Sequence, residues 1–391
     1  MAKQIDKTVL DFGSSRISIL IGGRGVNNTF VISGSAETEY DGFCDGEFLE
    51  PGQLKSKWEQ VVLAAEESVK GQISEIYVGV PGEFTTSVCR ETVLSFRSRR
   101  KITDLDVDEL YASGDIFQGN RDYVVVNRTP VYFVLDENNR TLSPVGQSAA
   151  KLSGFLCYTL AERKFIILIT RLLTEIGIRS VKFVSSVLAE SLFLFDRESR
   201  ENYAVLLDVG YITSNLAVVR GDGLLYLKTV PMGGGHITAD LTECLHLPFP
   251  QAESLKRKVE LTLKVSPEDT YQVQDGEQVL SFPSEDVHEV VSSRLEDMGL
   301  YFKKCLDECP YPFPEYVPVS LTGGGVCYMR GAREYLSQVM GKTVDIVAPN
   351  VPQINKPHLS SLYGLLDFAL ERAEPRKKGG FNFITKLFFG E

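Results

Sequence analysis

The sequence predicts an α/β protein made from two copies of one α/β plan, with a small α+β domain inserted into the first copy. Three observations predict it. An apolar strand, an Asp-x-Gly turn carrying hydroxyl residues and a second apolar strand occupy residues 8–21, and the same plan returns at 204–219. Residues 84–162 switch to short alternating strands with one helix. A Gly-Gly-Gly turn, Gly323-Gly324-Gly325, joins an apolar strand to a helical stretch.

In chain order, Thr8-Val9-Leu10 and Ile17 to Ile21 read as β-strands around the polar turn Asp11 to Ser15. Val31 to Ala36 gives a third strand. Pro51 to Lys70 has helical periodicity through Leu54, Trp58, Val61, Val62 and Ala65. Ile76 to Val80 is a strand ended by Pro81-Gly82. In the insert, Thr86 to Phe96, Tyr123 to Asn127 and Val131 to Leu135 alternate as strands, and Thr103 caps a helix with acidic residues in its first turn. Residues 163–196 read strand, helix, strand, helix. Ala204 to Leu207 and Leu216 to Val219 flank the second turn. Residues 246–311 are helical and polar, Val317 to Leu321 is a strand, and Met329 to Met340 is a helix.

A chain of 391 residues holds two or three domains at about 150 residues each. No apolar run approaches the roughly 20 residues of a membrane span, and MAKQIDKTVLDFG lacks the apolar core of a secretory signal. A cytoplasmic protein is expected. The cysteines (Cys44, Cys89, Cys157, Cys244, Cys305, Cys309 and Cys327) are odd in number and scattered, so reduced thiols are expected. Cys305 and Cys309 share a helix side but have no second pair near them to complete a metal site. The net charge of −11 argues against generic nucleic-acid binding.

The chemistry of the turns points to phosphate. Glycine lets the backbone approach an anion, and consecutive N–H groups in a tight turn form an anion-binding concavity. Ser14, Ser15, Thr213 and Ser214 add hydroxyl donors beside Gly13 and Gly210. Asp11 and Asp208 would repel phosphate directly; they suit water-mediated contact with Mg²⁺, which keeps its waters. A further glycine run, Val230-Pro231-Met232-Gly233-Gly234-Gly235-His236, adds to the set.

Together the two hairpins, the Gly233-Gly234 turn and Leu321 to Gly325 resemble the phosphate 1, phosphate 2 and adenosine motifs of the actin/Hsp70/sugar-kinase superfamily, with its ribonuclease H-like fold. Within it the chain resembles the FtsA family of bacterial cell-division proteins. Val230 to Thr238 is similar to that family's stretch after phosphate 2, and Gln251 to Lys256 to its helix carrying a Glu and a Lys near adenosine. Pro144-Val145-Gly146 with Lys151-Leu152 resembles the end of its inserted subdomain 1C. The resemblance implies ATP and Mg bound by Asp11, Gly13, Ser14, Ser15, Asp208, Gly210, Thr213, Ser214, Gly233, Gly234, Glu253, Lys256, Gly323, Gly324 and Gly325. It implies subdomain 1A at 1–83, 163–189 and 360–371, 1C at 84–162, 2A at 190–245 and 312–359, and 2B at 246–311. It also implies self-assembly into a polymer, contact with the C-terminal peptide of the tubulin-like protein FtsZ, and recruitment of other division proteins. The phosphate 2 turn departs from the family: Tyr211 and Ile212 replace small residues, and Asn215 stands near an acidic position. ATP binding with slow or absent hydrolysis is the expectation.

Residues 372–391 form a basic linker and an amphipathic segment. Phe381, Phe383, Ile384, Leu387 and Phe388 fall on one side of a helical wheel, with Asn382, Thr385 and Lys386 on the other. Arg372, Arg376, Lys377 and Lys378 precede it. Each buried apolar side chain is worth about 1.5–3 kcal/mol, and each cation near an anionic surface about 1 kcal/mol. A peripheral anchor at the cytoplasmic face of the inner membrane, at the division site, is expected. Two rivals share the fold: a pilus-assembly scaffold of the PilM type and a superfamily kinase. No catalytic carboxylate in a substrate pocket supports the kinase.

Overall fold

The computed structural model describes residues 6–26, 29–351 and 354–373. The amphipathic segment expected at the C-terminus lies outside them. Lys7–Phe12 (β1) and Arg16–Arg24 (β2) form a hairpin continued by Phe30–Glu39 (β3); the short pair Phe43–Cys44 (β4) and Glu47–Phe48 (β5) precedes helix Pro51–Val69 (α1) and strand Glu75–Val80 (β6). The insert follows as Thr85–Lys101 (β7), Asp104–Gly114 (α2), Tyr123–Leu135 (β8), Asn139–Thr141 (β9) and Ser148–Glu162 (β10). Arg163–Glu175 (α3), Ser180–Ser185 (β11), Ser186–Leu194 (α4) and Arg197–Asn202 (α5) lead to the second hairpin, Ala204–Val209 (β12) and Ser214–Arg220 (β13), extended by Gly223–Val230 (β14). Then come Gly234–Leu245 (α6), Phe249–Lys256 (α7), the hairpin Thr270–Asp275 (β15) and Gln278–Pro283 (β16), Ser284–Asp307 (α8), Val319–Thr322 (β17), Ala332–Met340 (α9), Val344–Ile346 (β18) and Ser360–Ala373 (α10).

The duplication is written in the sheets. One sheet runs β11-β6-β1-β2-β3 and the other β18-β17-β12-β13-β14. In each, three antiparallel strands continue into two parallel ones. Asp11 pairs with Ser18 across the first hairpin and Asp208 with Asn215 across the second. The insert has its own sheet, β7-β10-β8-β9. Its helix α2 begins at Thr103, the cap expected, and Asp106 completes a capping box with it.

Helix α1 buries Leu54, Trp58, Val61, Val62 and Ala65, the stripe expected from periodicity, and ends at left-handed Lys70. Phe12, Trp58, Phe84 and Phe165 meet beneath it at edge and tilted angles. On the opposite face of that sheet, α10 covers Val9 and Leu20. Helix α4 joins this layer through Ala189, and packs Val187 and Leu188 against Leu206, Ala217 and Val219 of the second sheet. It therefore lies between the two halves. Gly364 of α10 makes the crossing close, because a Cβ there would stand 2.8 Å from the Glu190 Cα.

Three expectations shift. The strand expected after 163 is absent, since α3 starts there and the strand is the end of β10. The helix expected from Met329 begins at Ala332, after Gly331 at φ +88. The polar stretch before α8 contains the β15–β16 hairpin, turned at Gly276 with φ +60. A fourth concerns the thiols: Cys89 and Cys157, directly opposed on β7 and β10, are disulfide-bonded. Among the described residues no helix is long and apolar enough to cross a membrane.

Candidate functional site

Each Asp-x-Gly turn closes on itself by one backbone bond, Gly13 N to Arg16 O at 2.9 Å and Gly210 N to Thr213 O at 3.0 Å. The symmetry of the two sheets points these turns at each other. Ser14 Oγ accepts the N–H groups of Tyr211 (3.1 Å) and Ile212 (2.9 Å). The other glycine turns dock on the second one. Gly234 N donates to Gly210 O (2.9 Å), Gly235 N to Tyr211 O (2.7 Å) and Gly325 N to Val209 O (2.7 Å). A Cβ at Gly234 would overlap Gly325 O, and one at Gly325 would overlap Gly210 O. Backbone contact this close requires glycine.

The turns thus bring together Asp11, Gly13, Ser14, Asp208, Gly210, Gly233, Gly234, Gly323 and Gly325. Gly13 and Gly324 are exposed at the opening, with Ser15 half-buried. Ser214 is fully buried, and its hydroxyl donates to Met232 O at 2.6 Å, fixing the glycine run. Thr213 is buried too and contributes its carbonyl to the turn.

The carboxylates lie below. Asp11 accepts hydroxyl bonds from Ser186 (3.2 Å) and Ser361 (3.0 Å), supplied by α4 and α10. Burial pushes it up to about 6 against the pull of these bonds. Burial also pushes Asp208 to about 6; the Asn215 amide, 3.3 Å from its Oδ2, opposes this and the Asp11 charge adds to it. Glu190 of α4 is 2% exposed and is pushed well above the carboxylate range by burial, then by Asp208 and Asp11. Sequence reasoning missed Glu190, Ser186 and Ser361. They arrive from distant helices and carry no local motif.

Lys256 is buried and spends its donors inside the protein. Its Nζ reaches Gly234 O (2.8 Å), Thr238 Oγ1 (2.8 Å) and Glu253 (2.7 Å). These contacts hold Glu253 below its ordinary range although burial, the largest influence, pushes it up. The Tyr211 ring lies over the ammonium at 5.3 Å. The Lys–Glu pair therefore clasps the Gly233–Gly235 turn. Arg257 over the Tyr328 ring (5.2 Å) flanks it, two residues the motifs had not flagged.

Two half-buried carboxylates with raised proton affinity suit a divalent cation. Among the described residues no three His, Cys, Asp or Glu groups are placed to ligate a metal directly, so the fit is to a cation that keeps its waters. The turn amides fit a phosphate oxygen, the acceptor role that Ser14 Oγ fills for Tyr211 and Ile212.

Comparison with known proteins agrees with this geometry. Residues 205–364 match the family described as Cell division protein FtsA. Cell division protein FtsA of Streptococcus pneumoniae is 23% identical over 384 residues, covering 96% of this chain and 82% of that protein. The Bacillus subtilis protein of the same description is 21% identical over 389 residues, covering 95% and 85%. Among solved structures, a PilM-PilN type IV pilus biogenesis complex superposes with a TM-score of 0.62 at 15% identity, over 94% of this chain and 99% of that one. MreB5 of Spiroplasma citri bound to AMPPNP gives 0.55 at 10% identity, over 94% and 96%. The chain is accordingly similar to FtsA cell-division proteins over most of its length, and it has the actin-like fold that its solved neighbours share.

Proposed function

We propose that the chain is an FtsA-like adaptor that binds Mg-ATP between its two halves, assembles with itself and is held at the cytoplasmic face of the inner membrane by residues 372–391. The observation that carries the nucleotide reading is the meeting of four glycine-bearing turns around the Asp11–Asp208 pair. In this reading Gly13, Ser14, Ser15, Gly210, Thr213 and Ser214 frame the phosphates, and Asp11 and Asp208 orient the waters of Mg²⁺. Glu253, Lys256 and the Gly323–Gly325 turn bound the adenosine side. The cation would supply charge neutralisation; the chain supplies the cradle.

Entry of a phosphate oxygen needs the Ser14 hydroxyl to turn away from the Tyr211 and Ile212 amides. Asn215 offers an amide where a carboxylate could act as base, which supports slow or absent hydrolysis. The four-subdomain division at the boundaries above belongs to the same proposal. So do tethering of FtsZ through its C-terminal peptide and recruitment of division proteins.

Calorimetry with Mg-ATP tests the cleft: binding is expected, weakened by Asp11→Ala or Gly324→Val, and no heat from the intact chain removes the assignment. The pilus-complex superposition favours a second reading, a pilus-assembly scaffold. Retention of a pilus-protein peptide in place of an FtsZ C-terminal peptide would select it.

A further inference from the structure

The insert meets the second half along β14, and the contact is unusually close. Asp222 N donates to Pro130 O at 2.9 Å, and Ser87 Oγ donates to Leu224 O at 2.5 Å. Gly221, at φ +58, lies where any Cβ would overlap Val131 O, and a Cβ on Gly223 would stand 2.7 Å from Val131 Cγ2 and 3.0 Å from Cys157 Sγ. Cys89 Sγ lies 3.7 Å from Leu224 O. Both sulfurs of the cross-strand pair therefore face β14.

Around them polar and apolar groups mix: Cys157 packs with Val131 and Leu225, flanked by Cys89 and Phe155. Ser87, Thr159 and Asn127 align across β7, β10 and β8, and Cys89, Cys157 and Thr129 form the next row. Asn127 Nδ2, Thr129 Oγ1 and Thr159 Oγ1 are buried with no hydrogen-bond partner. Unpaired polar groups beside an apolar cluster suit a joint that opens to water.

We propose that Cys89 and Cys157 are a thiol–disulfide modification site whose state sets how tightly the insert fits β14. Two separate thiols, each with its hydrogen, occupy more room than a bonded pair. Gly223 and Leu224 O leave no space on the β14 side, so reduction presses the joint open.

The exchange partner is a small-molecule disulfide such as oxidised glutathione. Two protein thiols lose two protons and two electrons in forming the Cys89–Cys157 bond, and the small disulfide takes them up to become two thiols. Attack starts at Cys89, which is half-buried, whereas Cys157 is fully buried. Intracellular disulfides of mesophiles are mostly of this sensing kind.

The full-length chain, equilibrated with oxidised glutathione, freed of it and unfolded in guanidinium, should show Cys89 and Cys157 unreactive and free of glutathione by peptide mass mapping, leaving at most five reactive thiols, and seven after dithiothreitol. Seven in both samples overturns the site. Hydrogen exchange of 221–227 and 85–91 should quicken about tenfold in the reduced wild-type chain, with the β12 amides as an unchanged internal control. Cys89→Ser should show the fast rate with or without reductant. Equal exchange in oxidised and reduced wild-type protein, which needs no variant to fold, overturns the coupling to the joint.

Discussion

The amide of Asn215 donates to the Asp208 carboxylate at 3.3 Å, while its own oxygen accepts the Thr229 hydroxyl at 2.9 Å. A neutral residue here adds no further carboxylate to the crowded Asp11–Asp208–Glu190 group. Asn215→Asp should lower stability by about 1–2 kcal/mol without divalent cation, through like-charge repulsion and a lost donor. Millimolar Mg²⁺ should restore much of it. Thermal melts with and without Mg²⁺ decide; a variant indifferent to the cation contradicts the account.

Ser14 holds two backbone amides that belong to the other half of the molecule. Ser14→Ala leaves both without an acceptor, at a cost of about 1–3 kcal/mol. Ser14→Thr keeps the hydroxyl and should recover most of the loss. Urea midpoints for the two variants check this, and an unaltered midpoint for the alanine variant speaks against it.

Removing the Lys256 ammonium leaves Glu253 to Thr238 and Arg257 alone and takes the stronger donor from the Gly234 carbonyl. Lys256→Met should cost about 1–3 kcal/mol, the loss of charged hydrogen bonds whose acceptors keep other partners. A loss below about 1 kcal/mol in chemical denaturation would show that the clasp is not needed.

The Arg100 guanidinium holds Asp106 down to about 2, helped by Thr103 and opposed by burial. A carboxyl depressed below its ordinary 3.8 stabilises the fold above that value, and the gain is lost as pH falls from about 4 through about 2. Arg100 is 44% exposed, so solvent screening limits the effect to about 1 kcal/mol. Asp106→Asn should flatten the acid limb of the insert's stability profile, read by hydrogen exchange in α2. Asp11 and Asp208 have the opposite sign. Raised to about 6, they hold protons the unfolded chain has released, so stability falls as pH rises from about 4 to 6.

If residues 372–391 anchor the chain as proposed, deletion of Phe381–Glu391 should release it from anionic liposomes. Continued co-sedimentation of the truncated chain with vesicles would refute it.

Much of this was legible because it is local. An Asp-x-Gly turn between β-branched runs announces itself in ten residues, and finding it twice implied the matched sheets. The Thr103–Asp106 cap and the Trp58 stripe were equally local. What stayed hidden depends on distance along the chain. Ser361 reaches Asp11 across 350 residues, and Cys89 finds Cys157 only because β7 and β10 pair at a separation of 68. Glu190 sits inside an apolar helix, where one acidic residue carries no pattern. The β15–β16 hairpin did carry a signal, Asp275-Gly276 between alternating residues, outweighed by the surrounding polar stretch.

The α4–α10 crossing sets the thickness of the layer shared by the two sheets. With Gly364 seated on the Glu190 backbone, neither helix can advance toward the other. A bulky residue at 364 would act as a shim, prising α10 from α4 and pulling the Ser186 and Ser361 hydroxyls apart over Asp11.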